Sequence, residues 1–205
     1  MFDIYSQIIR NTDGYIKFFG LKNWWFSAFT PAERKYIEKM YRPFGPDENT
    51  LVEGRVVSSN LTTLPFLINL VKYFDSLQDD QIAERIRLKI EEYINLEKSS
   101  AIDIHFYWSE QIEENYKKRK CGIEFINRTV MCCEKQIEIS EKVAAEFRET
   151  WSNDGLPSHK GYSQLCIILE KQGKLTPAIK LAKQALLQGW AGDWDYRIWR
   201  LQGKY

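Results

Sequence analysis

Two short amphipathic stretches separated by a glycine, between Tyr162 and Trp190, constrain the fold of this chain more than any other feature. Apolar residues recur there every three or four positions, which is the spacing of one face of an α-helix. Gly173 interrupts the pattern, and glycine readily takes the left-handed conformation with which many helices end. We therefore predict an antiparallel pair of helices that stops at Gly189. The apolar positions are Tyr162, Leu165, Ile168, Leu169, Leu175, Ala178, Ile179, Ala182, Ala185 and Leu186.

The second helix of this pair has a recognisable start and a face of small residues. Thr176 is suited to cap its amino end, and Pro177 to occupy its first position, where the missing N–H costs nothing. Ala178, Ala182 and Ala185 fall on one face at spacings of four and three residues. Such a face lets a neighbouring helix approach closely.

The hairpin resembles the tetratricopeptide repeat family. It departs from the family pattern at Cys166, where glycine is usual, at Leu169, where an aromatic residue is usual, and at Trp190, where proline is usual. The resemblance implies stacked hairpins that bind a polypeptide on a concave surface lined by the first helix of each pair. An ordinary helical hairpin is the alternative. The matching positions are Tyr162, Leu165, Gly173, Leu175, Ala178, Ala185 and Leu186.

Two weaker hairpins precede this one, at 67–90 and 112–137. Taking Ala83, Thr129 and Ala178 as equivalent positions gives steps of 46 and 49 residues. These steps exceed the tetratricopeptide period of about 34 residues. The upstream hairpins are therefore interpreted as degenerate repeats with long connections, and a non-repeating bundle stays open.

These patterns predict an all-α protein of about eight to ten helices in antiparallel hairpins, with no sheet. The architecture is either a short right-handed tetratricopeptide-like solenoid or a helical bundle. Thr30 and Glu33 have the spacing of a capping box, and Ser158 is expected to cap a later helix. Three segments are predicted: an aromatic-rich helical segment at 1–45, a loop or linker at 46–60, and helical hairpins with a carboxyl-terminal capping helix at 61–205.

Aromatic residues are dense between positions 15 and 44. We expect them to form a local core, because large apolar side chains are usually buried. The alternative is an aromatic-lined groove that accepts a peptide or small ligand.

Charge and hydropathy limit the classes of partner. The chain has 29 basic and 28 acidic residues, so binding to nucleic acid through many phosphate contacts is not expected. Lys117–Lys120 is the only strong basic run, and it is interpreted as a solvated turn. The amino-terminal sequence does not have the pattern of a signal peptide, and Leu64–Val71 is too short to span a bilayer. We expect a cytoplasmic protein with no membrane partner.

No catalytic motif is present in the sequence. Its cysteines contain no pair of the kind that binds zinc, and the two histidines lie far apart along the chain. Pairing of Cys133 with His105, or of Cys166 with His159, is possible in space but has no local support. We expect no catalytic residues, no metal site and no cofactor.

The resulting hypothesis is a non-catalytic module that binds another protein or peptide. The alternatives are a small-ligand binder or enzyme that uses the aromatic amino-terminal half, and a regulator associated with nucleic acid. The partner and the oligomeric state are left open. By resemblance, the predicted partner-binding residues are Asn69, Lys72, Glu113, Lys117, Ser163, Gln164 and Lys171.

Overall fold

The computed structural model describes residues 13–43, 50–74, 79–95, 99–151 and 155–203. These residues form eleven helices and two short strands, so the all-α prediction is confirmed. The chain divides into two compact units, Met1–Ser99 and Ser100–Tyr205. None of the described helices is long and apolar enough to cross a membrane.

The elements follow each other along the chain in this order. In the first unit they are α1 (Gly14–Phe18), α2 (Lys22–Ala28), α3 (Pro31–Met40), α4 (Thr63–Lys72) and α5 (Asp80–Asn95). In the second unit they are α6 (Ala101–Lys117), α7 (Ile123–Glu138), α8 (Ser140–Thr150), β1 (Leu156–Ser158), α9 (Lys160–Lys171), α10 (Leu175–Gln188), β2 (Trp190–Ala191) and α11 (Trp194–Gln202).

Aromatic rings on several elements form the core of the first unit. The ring of Phe66 on α4 lies 4.8 Å from the ring of Phe19, 5.6 Å from that of Tyr15 and 6.1 Å from that of Tyr41. Trp25 is also buried. The dense aromatic segment therefore contributes to a local core, as large side chains bury the most apolar area for each ordered residue.

The start of α3 is capped as the sequence predicts. The Thr30 hydroxyl accepts a hydrogen bond from the Glu33 N–H, and the Glu33 carboxylate accepts one from the Thr30 N–H. Arg85 on α5 pairs with the same carboxylate and donates to the Ala28 carbonyl at 2.8 Å. This set of contacts joins the start of α3 to α5 within the first unit.

Stacked helix pairs build the second unit. Helices α6 and α7 pack together, as do α9 and α10, and α9 also packs against both α6 and α7. Helix α8 packs against α6, and its Glu146 carboxylate accepts a hydrogen bond from the Ala101 N–H at 2.8 Å. The packing of these helix pairs is compatible with a helical-repeat arrangement.

The predicted hairpin forms helices α9 and α10. Gly173 and Gly189 take φ values of 72° and 83°, so both helices end in the left-handed conformation that favours glycine. Ala178, Ala182 and Ala185 are each fully buried. Helix α11 covers α10, and Glu170 on α9 pairs with two arginines of α11. Those arginines are Arg197 and Arg200, at 2.8 Å and 2.7 Å.

The prediction that the chain contains no sheet is wrong. Strands β1 and β2 pair in parallel, with Leu156 beside Trp190 and Ser158 beside Ala191. They are too short to produce the apolar and polar alternation that identifies a strand in a sequence. The eleven described helices also exceed the predicted eight to ten.

Two predicted helix starts are also wrong. Ser158 belongs to β1, and His159 caps α9 instead, since its Nδ1 accepts a hydrogen bond from the Tyr162 N–H at 3.3 Å. Helix α10 begins at Leu175, which places Thr176 inside the helix and Lys174 at the cap position. In both cases the residue at the amino-terminal cap is not the serine or threonine that capping preferences favour.

The predicted segments 1–45, 46–60 and 61–205 stay a prediction. Residues 1–12 and 44–49 lie outside the described residues.

Candidate functional site

An open groove with both apolar and polar walls runs between α7, α9 and α10 in the second unit, with a volume of about 760 Å³. Leu165 and Ile168 of α9 are buried beneath it. Its volume falls within the range of about 300–1,000 Å³ that is usual for binding sites. We call this feature the α7–α10 groove. The apolar residues that line its walls include Ile123, Ile126, Val130, Met131, Leu169, Pro177 and Leu181.

Helix α7 supplies one wall because it is apolar on two faces. One face carries Cys132 and Cys133, which are both buried. The other carries Ile123, which is 71% exposed, and Met131, which is 46% exposed. A solvent-facing helix surface is normally polar, so exposed apolar residues grouped beside a groove indicate a contact surface.

The charges around the groove are unevenly distributed. Lys174 and Lys180 line the side formed by α10, and Glu134 lies on α7. Among the residues that the structure describes, no carboxylate forms an ion pair with either lysine. The α10 side of the groove is therefore electropositive.

Three of the residues predicted to bind a partner, Glu113, Lys117 and Lys171, lie near Tyr116, at the end of α6. Lys117 pairs with Glu113 at 2.8 Å, and Lys171 of α9 donates a hydrogen bond to the Tyr116 hydroxyl at 3.0 Å. This hydrogen bond is the main cause of a lowered Tyr116 pKa, to which the side chain of Gln164 contributes less. The helix contact between α6 and α9 thus brings together residues that are distant in sequence.

The remaining predicted residues are placed differently. Asn69 and Lys72 are exposed on α4, in the other unit. Ser163 is half-buried on α9, and Gln164 is buried with only 7% of its surface exposed. Gln164 is buried because α9 packs against two helices at once.

The two histidines form a buried pair inside the second unit. The ring centroids of His105 and His159 lie 4.9 Å apart, and the Trp190 ring stacks on His105 at 5.6 Å with an interplanar angle of 3°. Among the residues that the structure describes, His105 Nδ1 and His159 Nε2 are buried without a hydrogen-bond partner. Burial lowers the pKa of His105 to about 4 and is the main cause that lowers the pKa of His159 to about 3. Both imidazoles are therefore neutral at pH 7.

The Gln136 side chain joins three helices next to this pair. Its Nε2 donates to the His105 carbonyl at 2.8 Å and to Ser109 Oγ at 2.5 Å, and its Oε1 accepts from the Gly161 N–H at 2.6 Å. A side chain at Gly161 would collide with the Gln136 amide, since a Cβ there would lie 2.8 Å from Oε1. The glycine therefore allows α9 to approach α7.

The thiols nearby are poorly suited to nucleophilic chemistry. Cys133 and Cys166 are fully buried, and burial is the main cause of a raised pKa at both, to about 11 for Cys166. Both thiols are therefore protonated at neutral pH, whereas the thiolate is the reactive form.

A second cavity lies in the first unit, where α2 meets α3, with a volume of about 880 Å³. Its apolar walls include Phe26, Phe29 and Pro31. The Arg34 guanidinium lies 4.8 Å from the centre of the Phe26 ring and donates to the Phe29 carbonyl. We call this cavity the Arg34 pocket. Lys35, Glu38 and Arg85 also line it.

Sequence reasoning missed the α7–α10 groove. The sequence did contain a signal for it. Ile126 and Val130 are four residues apart on one face of α7, and this face is not needed to form the core of the predicted hairpin.

Comparison with protein families, curated proteins and solved structures found no match for this chain.

Proposed function

We propose that the second unit is a non-catalytic module that binds a polypeptide in the α7–α10 groove. The observation that carries this proposal is the line of apolar residues along the groove, with Ile123 and Met131 exposed at its edge. Apolar surface rimmed by polar residues often marks a site of protein interaction.

The partner we propose is an amphipathic helix with acidic residues along one flank. Helices with an apolar stripe bind in grooves of this kind through anchors spaced three, four and seven residues apart. Acidic side chains on the flank that faces α10 would complement Lys174 and Lys180. Glu134 on the opposite side disfavours acidic residues on the other flank.

The packed helix pairs of the second unit are compatible with a helical-repeat arrangement, and stacked hairpins of that kind present extended surfaces to partners. We also propose that the chain is distantly related to the tetratricopeptide repeat family. This proposal rests on the hairpin pattern in Tyr162–Trp190 and on the packing of α9 against the preceding helix pair.

The absence of catalysis is part of the proposal and is supported by the state of the reactive groups. The imidazoles of His105 and His159 are buried and face each other, and the Cys133 and Cys166 thiols are buried and protonated. A cytoplasmic location stays a prediction.

A binding experiment with designed peptides tests the proposed site. The probe is a fluorescent amphipathic helix of about four turns, with leucine anchors and glutamates along one flank, measured by anisotropy. Met131→Ser removes an apolar groove contact, so we expect the dissociation constant to rise about tenfold. The matched control is Leu187→Ser, at a residue that is 89% exposed and does not line the groove.

The same peptide discriminates between the groove and the face predicted from sequence. Under the groove proposal, Glu113→Ala and Lys171→Ala leave the affinity unchanged. If these two variants abolish binding while Met131→Ser does not, the peptide binds the face formed by α6 and α9. Failure of the peptide to bind the wild-type protein would contradict the proposed occupant.

A further inference from the structure

The Arg34 pocket combines apolar walls with fixed cations in the first unit, apart from the proposed peptide groove. Its volume of about 880 Å³ suits a small molecule. Phe26, Phe29 and Pro31 provide surface on which an apolar body can be buried.

Arg34 is held in place before any ligand arrives. One of its guanidinium nitrogens donates to the Phe29 carbonyl, and the group lies over the Phe26 ring. A guanidinium has five N–H donors, so these contacts leave donors for a ligand. A fixed cation loses less conformational entropy on binding than a mobile one.

The charged side chains that line the pocket sum to a net charge of about +1, which a bound ligand would balance. Arg85 is neutralised by Glu33 and also donates to the Ala28 carbonyl. Arg34 and Lys35 are cations, and Glu38 is the remaining acidic group of the lining. Burial is the main cause that raises the Glu38 pKa, and the Glu53 charge adds to it. This balance favours a monoanion over a doubly charged phosphate.

The start of α3 gives a second reason against phosphate. Phosphates commonly bind the free N–H groups at a helix amino terminus. Here the Thr30 hydroxyl and the Glu33 carboxylate form the capping box, so the N–H groups of Thr30 and Glu33 already have partners. The guanidinium of Arg34 is the better anchor, and its planar fork matches a carboxylate.

We propose that the Arg34 pocket binds a small organic carboxylate, with the carboxylate on the Arg34 guanidinium and an apolar body against the phenylalanine walls. This inference does not depend on the peptide groove of the second unit.

The test uses 2-naphthoate as the probe and the full-length protein, with backbone amide shifts followed by NMR. We expect saturable shifts at residues 26–38, and binding at least tenfold weaker for the neutral analogue 2-naphthamide, since the carboxylate supplies the charged hydrogen bonds. Equal affinity for acid and amide would overturn the proposal. Saturable shifts confined to α7, α9 and α10 would also overturn it, because they would place the probe in the peptide groove.

Substitutions test the anchor. Arg34→Gln should weaken naphthoate binding about tenfold or more, and Lys39→Gln, on an exposed lysine of α3 outside the pocket, should leave it unchanged. If Arg34→Gln loses its native circular-dichroism spectrum, Lys35→Gln decides: weaker binding supports the proposal and unchanged binding overturns it. Inorganic phosphate that shifts the same amides at lower concentration than naphthoate would make this a phosphate site instead.

Discussion

The buried histidine pair makes the second unit sensitive to acid. His105 and His159 have pKa values of about 4 and 3 in the folded chain, against an ordinary value of 6.5. The unfolded chain therefore binds protons at a higher pH than the folded chain does. The pair's contribution to stability is fully present above pH 6.5 and is lost as the pH falls towards 4 and 3.

We expect the free energy of unfolding to decrease by about 4 kcal/mol between pH 7.5 and pH 5, roughly half from each histidine. Urea denaturation at the two pH values measures this change. The comparison is His105→Phe, which keeps a ring against Trp190 and removes one titrating group. The decrease should be about 2 kcal/mol smaller in the variant. An identical pH dependence of the two proteins would contradict the assignment.

Gln136 is the second residue whose environment predicts that its substitution changes the stability strongly. Gln136→Leu keeps most of the side-chain volume and leaves the Gly161 N–H and the His105 carbonyl without this partner. We expect it to destabilise the protein by about 2–4 kcal/mol, because buried polar groups are costly when unpaired. Thermal and urea unfolding measure the change. Lys135→Leu, on the exposed neighbour, is the control, and equal stability of the two variants would show that the amide contacts contribute little.

Among the elements, helix α10 joins the hairpin to α11 through its buried alanines. Ala178→Leu or Ala185→Leu adds volume where no side-chain surface is exposed. We expect each variant to lose about 1–3 kcal/mol of stability through overpacking. Lys183→Leu on the exposed face of α10 is the control. Unchanged urea midpoints for both alanine variants would contradict the close packing of α10.

Elements with strong local signals could be predicted from the sequence, and those fixed by tertiary contacts could not. The capping box at Thr30 and the left-handed ends at Gly173 and Gly189 depend on neighbours in sequence, and all three are present. The pairing of β1 with β2 depends on residues about thirty positions apart in the chain. Local preference carries no information on that pairing.

The candidate sites likewise depend partly on local sequence and partly on tertiary contacts. The sequence identified polar residues on α6 and α9, and the fold brings Lys171 of α9 to Tyr116, beside Glu113 and Lys117 on α6. The groove is lined by three helices, so its shape exists only after α7, α9 and α10 have packed. The meeting of His105 with His159 likewise requires residues from different elements to come together.

At the scale of the whole molecule, the chain carries two compact units with different surface chemistry. The first unit has a cation-lined pocket next to Phe26 and Phe29, and the second has a groove with apolar and polar walls and lysines along one side. For the second unit, we propose that an acidic amphipathic helix binds between α7 and α10.

Charge reversal tests this claim most directly. The double variant Lys174→Glu, Lys180→Glu is compared with the wild type for binding two peptides that share leucine anchors and differ only in a glutamate or a lysine flank. We predict that the wild type prefers the glutamate peptide and that the variant prefers the lysine peptide, each by about tenfold, since opposite charges attract across the α10 side. The same preference in both proteins, or no binding of either peptide, would contradict the proposed groove.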